Sequence, residues 1–311
     1  MNWTLAVTAL GIGIVVGLTG MGGGALMTPV LVLFFGITPL SAVSSDLVAA
    51  AIMKPVGSFV HLRRGTVQLG LVKWLCIGSV PCAFAGVFVA RSLSDASVLY
   101  IEYAMGAALL VAAFGLFLRS YLRLAERAER RDGRRAPDPA TPPAVVPKPI
   151  PLLLVGAVGG FFVGITSVGS GSLIIIAIMA LYPMLRARQL VGTDLVQAVP
   201  LVAAAALGHL IFGDLQWGVT AAILVGSIPG AYIGAQLSSR LPGAIVRRVL
   251  AFLLLASALK LFGVDTAVTA CILGGVLVLA APAWALLRKV NGFPALPRHE
   301  TEAERALQPT G

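Results

Sequence analysis

Residues Gly17–Pro29 read GLTGMGGGALMTP, glycines and a proline set into an otherwise apolar stretch that runs from residue 3 to 36. Each glycine inside a helix costs about 1 kcal/mol relative to alanine, and a proline withholds a backbone donor. In water such a run would mark a surface loop; here its flanks are membrane-like. Broken backbone at bilayer depth survives only where protein buries it or where it lines a cavity. The run therefore predicts a helical hairpin, interrupted by glycine and facing a cavity.

The rest of the chain supplies the bilayer. Its 311 residues are 58% hydrophobic and 12% charged, with mean hydropathy +0.94, which excludes an ordinary soluble domain. Apolar segments long enough to cross lie at 41–61, 70–90, 98–118, 189–212, 217–239, 244–262 and 266–287. A second glycine-interrupted stretch, 151–183, matches the first in kind. No Lys or Arg precedes Lys54 and no cleavage site follows a short apolar core, so the amino-terminal stretch is expected to be retained. Cys76, Cys82 and Cys271 sit in apolar segments and read as small packing residues. No disulfide, metal site or cofactor is expected. From 119 to 149 arginines give way to prolines, predicting a polar helical extension and then a Pro-rich linker.

That linker separates two copies. At one constant offset Asp46 aligns with Asp194, His61 with His209, Gly65 with Gly213, Gln68 with Gln216, Gly78 with Gly226, Pro81 with Pro229 and Gly86 with Gly234. One residue out of that register, GIVVGLTGMGGGAL (13–26) aligns with GFFVGITSVGSGSL (160–173). The glycine break is one feature used twice.

Charge sets the orientation of the copies, because Lys and Arg in short loops collect on the cytoplasmic side. With the Arg-rich linker inside, the spans on either side run in opposite directions and each glycine stretch must leave and return on one face. Of the 23 Lys and Arg, Arg91 and Lys260 then fall outside, Lys54 lies within a span, and the rest lie inside. The fold expected is an all-α integral membrane protein with an inverted repeat, an arrangement common among secondary transporters. Each half holds a glycine-broken helical hairpin plus three transmembrane helices, and one extra span follows. The boundaries are a first repeat over 1–118, a linker over 119–149, a second repeat over 150–263, an extra helix over 264–288 and a tail over 289–311. The linker and tail are read as cytoplasmic and the amino terminus as outside, in a bacterial-type inner membrane. The basic surface is explained by that orientation and by anionic lipid, without nucleic acid.

The two loops, GLTGMGGGALMTP and GITSVGSGSL, resemble those of the TauE/SafE sulfite exporter family of membrane permeases, and the resemblance extends through the duplicated core to about residue 263. The copy differs at Ser167 and Ser170, where the first loop has Gly20 and Gly23, and at Ile176 in place of Pro29. The resemblance implies a transporter, and not an enzyme, that exports small sulfur-containing anions such as sulfite, sulfoacetate or other sulfonates. An anion channel, or a carrier of non-sulfur anions such as carboxylates, is the alternative.

A short apolar helix follows each loop, near Ala25 and Ser172, and its first amides are free to meet an anion. Gly20, Gly22, Gly23 and Gly24, with Ser167, Gly169, Ser170, Gly171 and Ser172, are thus the expected substrate cradle. Helix-packing glycines are the alternative, but those keep helical spacing. Lys54 is placed mid-membrane, where a cation costs at least about 2.5 kcal/mol, and is expected to add positive charge to the cradle; pairing with a carboxylate such as Glu102 is the other reading. Asp46 and Asp194 are read as N-caps after SS and GT, or else as groups coupling transport to a proton or sodium. His61 and His209 are read as helix-end partners, or else as proton carriers. Gln68 and Gln216 are expected to tie the loops after them.

Overall fold

The computed structural model describes residues 2–19, 24–133, 145–168, 173–182, 185, 187–237 and 243–294. They form α1 (Trp3–Thr19), α2 (Gly24–Phe35), α3 (Pro39–Arg63), α4 (Leu69–Ala96), α5 (Val98–Arg131), α6 (Pro149–Thr166), α7 (Leu173–Leu181), α8 (Ala187–Phe212), α9 (Trp217–Leu237), α10 (Gly243–Leu261) and α11 (Thr266–Val290). Seven of them, α3, α4, α5, α6, α8, α9 and α11, are long and apolar enough to cross a membrane. The span expected at 244–262 forms as α10, whose Arg247, Arg248 and Lys260 set it apart from those seven.

Each glycine stretch becomes a long helix followed by a short one. The short arms, 12 residues in α2 and 9 in α7, reach about 18 and 14 Å at 1.5 Å per residue. Neither arm spans an apolar core about 30 Å thick. Thr166 closes α6 by donating its hydroxyl to Phe162 O (2.7 Å), and Ser167 ends it at a φ of 58°, with its N–H on Val163 O at 2.8 Å.

The long arms pack on the other half. α1 lies along α9 and α6 along α4, while α3 pairs with α8 and α5 with α10. Glycine makes the first two pairings close. At Gly226, Gly230 and Gly234 of α9 a Cβ would strike the backbone of α1, and at Gly156, Gly160 and Gly164 of α6 it would strike the backbone of α4. The four-residue spacing is that of helix-packing glycines, which separates them from the consecutive glycines of the loops. α3 and α8 run antiparallel through the middle, with Leu47 and Leu201 fully buried.

The polar end of the first half is helical as expected, since α5 continues to Arg131. Arg127 and Arg131 stack over Phe293 at 4.8 and 5.0 Å, joining this extension to the chain beyond α11. Residues 134–144 of the linker and 295–311 of the tail lie outside the described residues.

Candidate functional site

The second loop of the chain meets the first at an aspartate. Ser167 Oγ donates to Asp46 Oδ2 at 2.5 Å, and Thr28 Oγ1 of α2 donates to the same oxygen at 3.2 Å. Gly24, the first residue of α2, fits between them. A Cβ there would stand 2.6 Å from Ser167 Oγ and 3.0 Å from Asp46 Oδ2, and closer still to the Ser167 carbonyl oxygen. Absence of a side chain at this position lets the start of α2 reach the end of α6.

Asp46 is 3% exposed and lies in the second turn of α3; Asp194, also 3% exposed, lies in the second turn of α8. The N-cap reading of both is thereby corrected. These helices start earlier, at Pro39 and Ala187, because the polar residues before each aspartate are accommodated inside the helix. Ser44 shows how: its hydroxyl donates back to Leu40 O at 2.7 Å, four residues earlier. Asp194 Oδ1 accepts from Gln197 Nε2 at 3.4 Å, and Gln197 Oε1 in turn accepts from Ser79 Oγ of α4 at 3.4 Å.

Lys54 stands between the two aspartates. Ser58 Oγ donates both to Lys54 O (3.0 Å) and to Leu195 O (2.8 Å), which sets the turn of α3 that begins at Lys54 against the turn of α8 that holds Asp194. The Lys54 ammonium interacts electrostatically with Asp194 and with Asp46. The carboxylates that face it are these two, in place of Glu102. Lys54 as a residue is half-buried, less enclosed than either aspartate. Beside it Pro55 has no N–H, so the Ala51 carbonyl loses its helical donor.

His61 and His209 both sit at helix ends, and His209 bonds across helices. His209 Nδ1 lies 2.8 Å from Ser44 Oγ of α3 and its Nε2 lies 2.9 Å from Gly164 O of α6. A carbonyl oxygen only accepts, so Nε2 carries a proton, and the buried ring bolts α8 to α3 and α6. His61 Nδ1 pairs with Thr66 Oγ1 at 2.9 Å beside Gly192 of α8. At Gln68 and Gln216 the backbone does the tying, for their carbonyls accept from Leu71, Val72, Val219 and Thr220 at the starts of α4 and α9.

Of the expected cradle, the structure brings together Gly24, Lys54 and Ser167; Gly20, Gly22, Gly23, Gly169, Ser170, Gly171 and Ser172 lie outside the described residues. Sequence reasoning missed Thr28, Gln197 and Ser79. For Ser79 the repeat carried a signal: it aligns with Ser227, whose hydroxyl donates to Ile223 O at 2.6 Å and lies 3.2 Å from Met53 Sδ of α3.

Chemically, the arrangement presents a buried carboxylate held by a hydroxyl from each half, the start of a short helix, and one cation farther along α3. Charged groups within membrane-spanning segments mark substrate or ion pathways.

Comparison with known proteins places the chain among membrane transporters. The family model described as "Sulfite exporter TauE/SafE" matches residues 5–261. Among curated relatives, "Probable membrane transporter protein YjnA" of Bacillus subtilis (strain 168) is 37% identical over 264 residues, 84% of this chain and 100% of the relative. "Probable membrane transporter protein YdhB" of the same organism is 25% identical over 239 residues, 76% of this chain and 90% of that protein. No solved structure matches the chain. The match covers both glycine breaks, both aspartates and Lys54, and the chain belongs to the TauE/SafE sulfite exporter family as a multi-pass membrane transporter and not an enzyme.

Proposed function

We propose that this protein is a secondary transporter that exports small sulfur-containing anions, such as sulfite, sulfoacetate or related sulfonates, and holds the anion where its two halves meet. The observation that carries the reading is the junction of Gly24, Ser167 and Asp46 beside Lys54. The start of α2 offers helix-terminal amides to an anion, and Lys54 offers the positive charge that a sulfonate needs in a site of low dielectric. Gly20, Gly22, Gly23, Gly169, Ser170, Gly171 and Ser172 would complete the cradle.

An inverted repeat is supported by the exchanged pairings, in which α1 on α9 mirrors α6 on α4 while α3 and α8, and α5 and α10, pair with their own counterparts. Such repeats rock about a central site and expose it to one side at a time. The orientation that goes with this reading has the amino terminus outside and the linker over 119–149 and the tail over 289–311 in the cytoplasm, the two repeats occupying 1–118 and 150–263 and the extra helix 264–288.

The test is a thermal-stabilisation screen of the purified protein against sulfite, thiosulfate, sulfoacetate, taurine, sulfate and a set of carboxylates. Saturable stabilisation by sulfite or a sulfonate is expected. Stabilisation by carboxylates alone would replace the substrate class, and flux that never saturates would replace the carrier by an anion channel.

A further inference from the structure

Away from the helix ends, the charged side chains among the described residues of the packed core come down to Asp46, Lys54 and Asp194. The helices against α3 and α8 add few titratable groups. α1, α2, α6, α7 and α9 carry no Asp, Glu, Lys, Arg or His at all. α5 has Glu102 near its start and then no charge until Arg119. α4 has Lys73 near one end, exposed to the surroundings, Arg91 and Asp95 near the other, and the Cys76 and Cys82 thiols between, Cys76 lying 3.9 Å from Gln197 O. His61 and His209 are engaged with Thr66, Ser44 and Gly164.

Charge counting then constrains transport. Two buried carboxylates and one ammonium leave a net negative charge inside the packed helices, and a net charge there is expensive. A proton on one of the two carboxylates removes it. An anion that enters restores the excess unless a further proton enters with it. The same accounting explains how a transporter of anions tolerates two buried carboxylates beside its substrate. Asp46 and Asp194 are repeat-related, so each half supplies one carboxylate, whereas the second half has Val202 where the first has Lys54. One cation therefore serves both carboxylates.

Resting on the transport reading above, we infer that Asp46 and Asp194 are the proton-coupling carboxylates of the transporter and that Lys54 is exchanged between them and the substrate, so that anion and proton cross together. A proton from water forms an O–H bond on one carboxylate, which releases the Lys54 ammonium to an oxygen of the sulfonate. On the other side the O–H bond breaks, the proton returns to water, the carboxylate reclaims Lys54 and the anion is expelled. One proton moves with each anion carried.

The experiment uses the full-length protein in liposomes with a trapped pH dye and labelled sulfoacetate as probe. Counterflow reports exchange without a gradient; net uptake is then driven by a pH gradient, a sodium gradient or neither. Sulfoacetate uptake accompanied by dye acidification, and raised at least tenfold by an acidic exterior but not by sodium, is expected. In Asp46→Asn and Asp194→Asn the ratio of gradient-driven uptake to counterflow should fall at least tenfold. Counterflow in the unaltered protein together with net uptake that moves no protons, or that follows sodium, would overturn the coupling while leaving the transport reading in place. Absence of counterflow with sulfoacetate and with sulfite would overturn both. The dye signal of the unaltered protein decides the matter even if the variants do not fold.

Discussion

Replacing Gly24 by alanine adds one carbon where the two halves touch, and the structure gives its consequence. The new Cβ would lie 2.6 Å from Ser167 Oγ and 3.0 Å from Asp46 Oδ2, and would collide with the Ser167 carbonyl, which is backbone and cannot swing aside. Overpacking of this kind costs about 1–3 kcal/mol. The opposing gain, alanine's better helix propensity, is at most about 1 kcal/mol and shrinks at the first residue of a helix. The clash therefore wins, and α2 must separate from Ser167. At about 2 kcal/mol the shift in site occupancy is about thirtyfold. Gly11→Ala is the matched control, since a Cβ on Gly11 of α1 meets nothing within 4 Å. Both variants are measured for thermal unfolding in detergent and for anion counterflow in liposomes. Gly24→Ala should lower apparent affinity by at least tenfold while Gly11→Ala leaves it alone. Equal behaviour of the two variants would refute the claim that Gly24 is where the halves meet.

Other expectations follow from the same geometry. Ser167→Ala keeps a Cβ at a φ of 58° and deletes the hydroxyl that Asp46 accepts from, whereas Ser167→Gly also relieves a left-handed conformation worth about 1–2 kcal/mol. In calorimetry the glycine variant should be the more stable, and anion affinity should fall in both; an alanine variant as stable as the glycine one would deny the strain. Gly230→Leu forces a large side chain against the Leu10 backbone of α1 and should prevent a monodisperse protein from being isolated, by size-exclusion profile; a normal profile would mean α1 and α9 are not so closely packed. A cysteine at Asn2 should react with an impermeant maleimide in intact cells, and one at Gly311 only after lysis. Labelling of both ends from the same side would overturn the inverted orientation of the halves.

The membrane helices were legible because length and hydropathy alone decide them: α3, α4, α5, α8, α9 and α11 lie within a few residues of the expected spans, α5 with its polar extension added. The end of α6 was legible because small residues in succession conflict with helix inside an apolar run: the helix stops at Thr166 and Ser167 takes a φ of 58°, whereas residues 20–23 and 169–172 lie outside the described residues. Helix starts were harder. SSD before α3's core and GTD before α8's look like caps, and in water Ser, Thr and Asp favour that role. Inside a protein-packed membrane helix a serine hydroxyl satisfies itself on the carbonyl four residues back, as Ser44 does on Leu40, so the polar run ceases to be a boundary. The partners of the site were not legible at all. Asp46 takes one donor from α2 and another from Ser167 in the opposite half, a meeting set by the packing of α6 against α4 and α8 that no local pattern records. Lys54 was placed mid-membrane by counting along its helix, but which carboxylates face it depended on the antiparallel register of α3 and α8 fixed by Ser58 and Leu195.

Lys54→Met tests the site most directly, because methionine keeps the length of the side chain and removes its charge. Binding of sulfite and of sulfoacetate to the purified protein and to this variant is measured by titration calorimetry at one pH. The account predicts saturable binding to the unaltered protein and at least a tenfold loss of affinity in the variant, about 1.4 kcal/mol, with an unchanged size-exclusion profile. Equal affinities in the two proteins would remove Lys54 from the anion site and contradict the account.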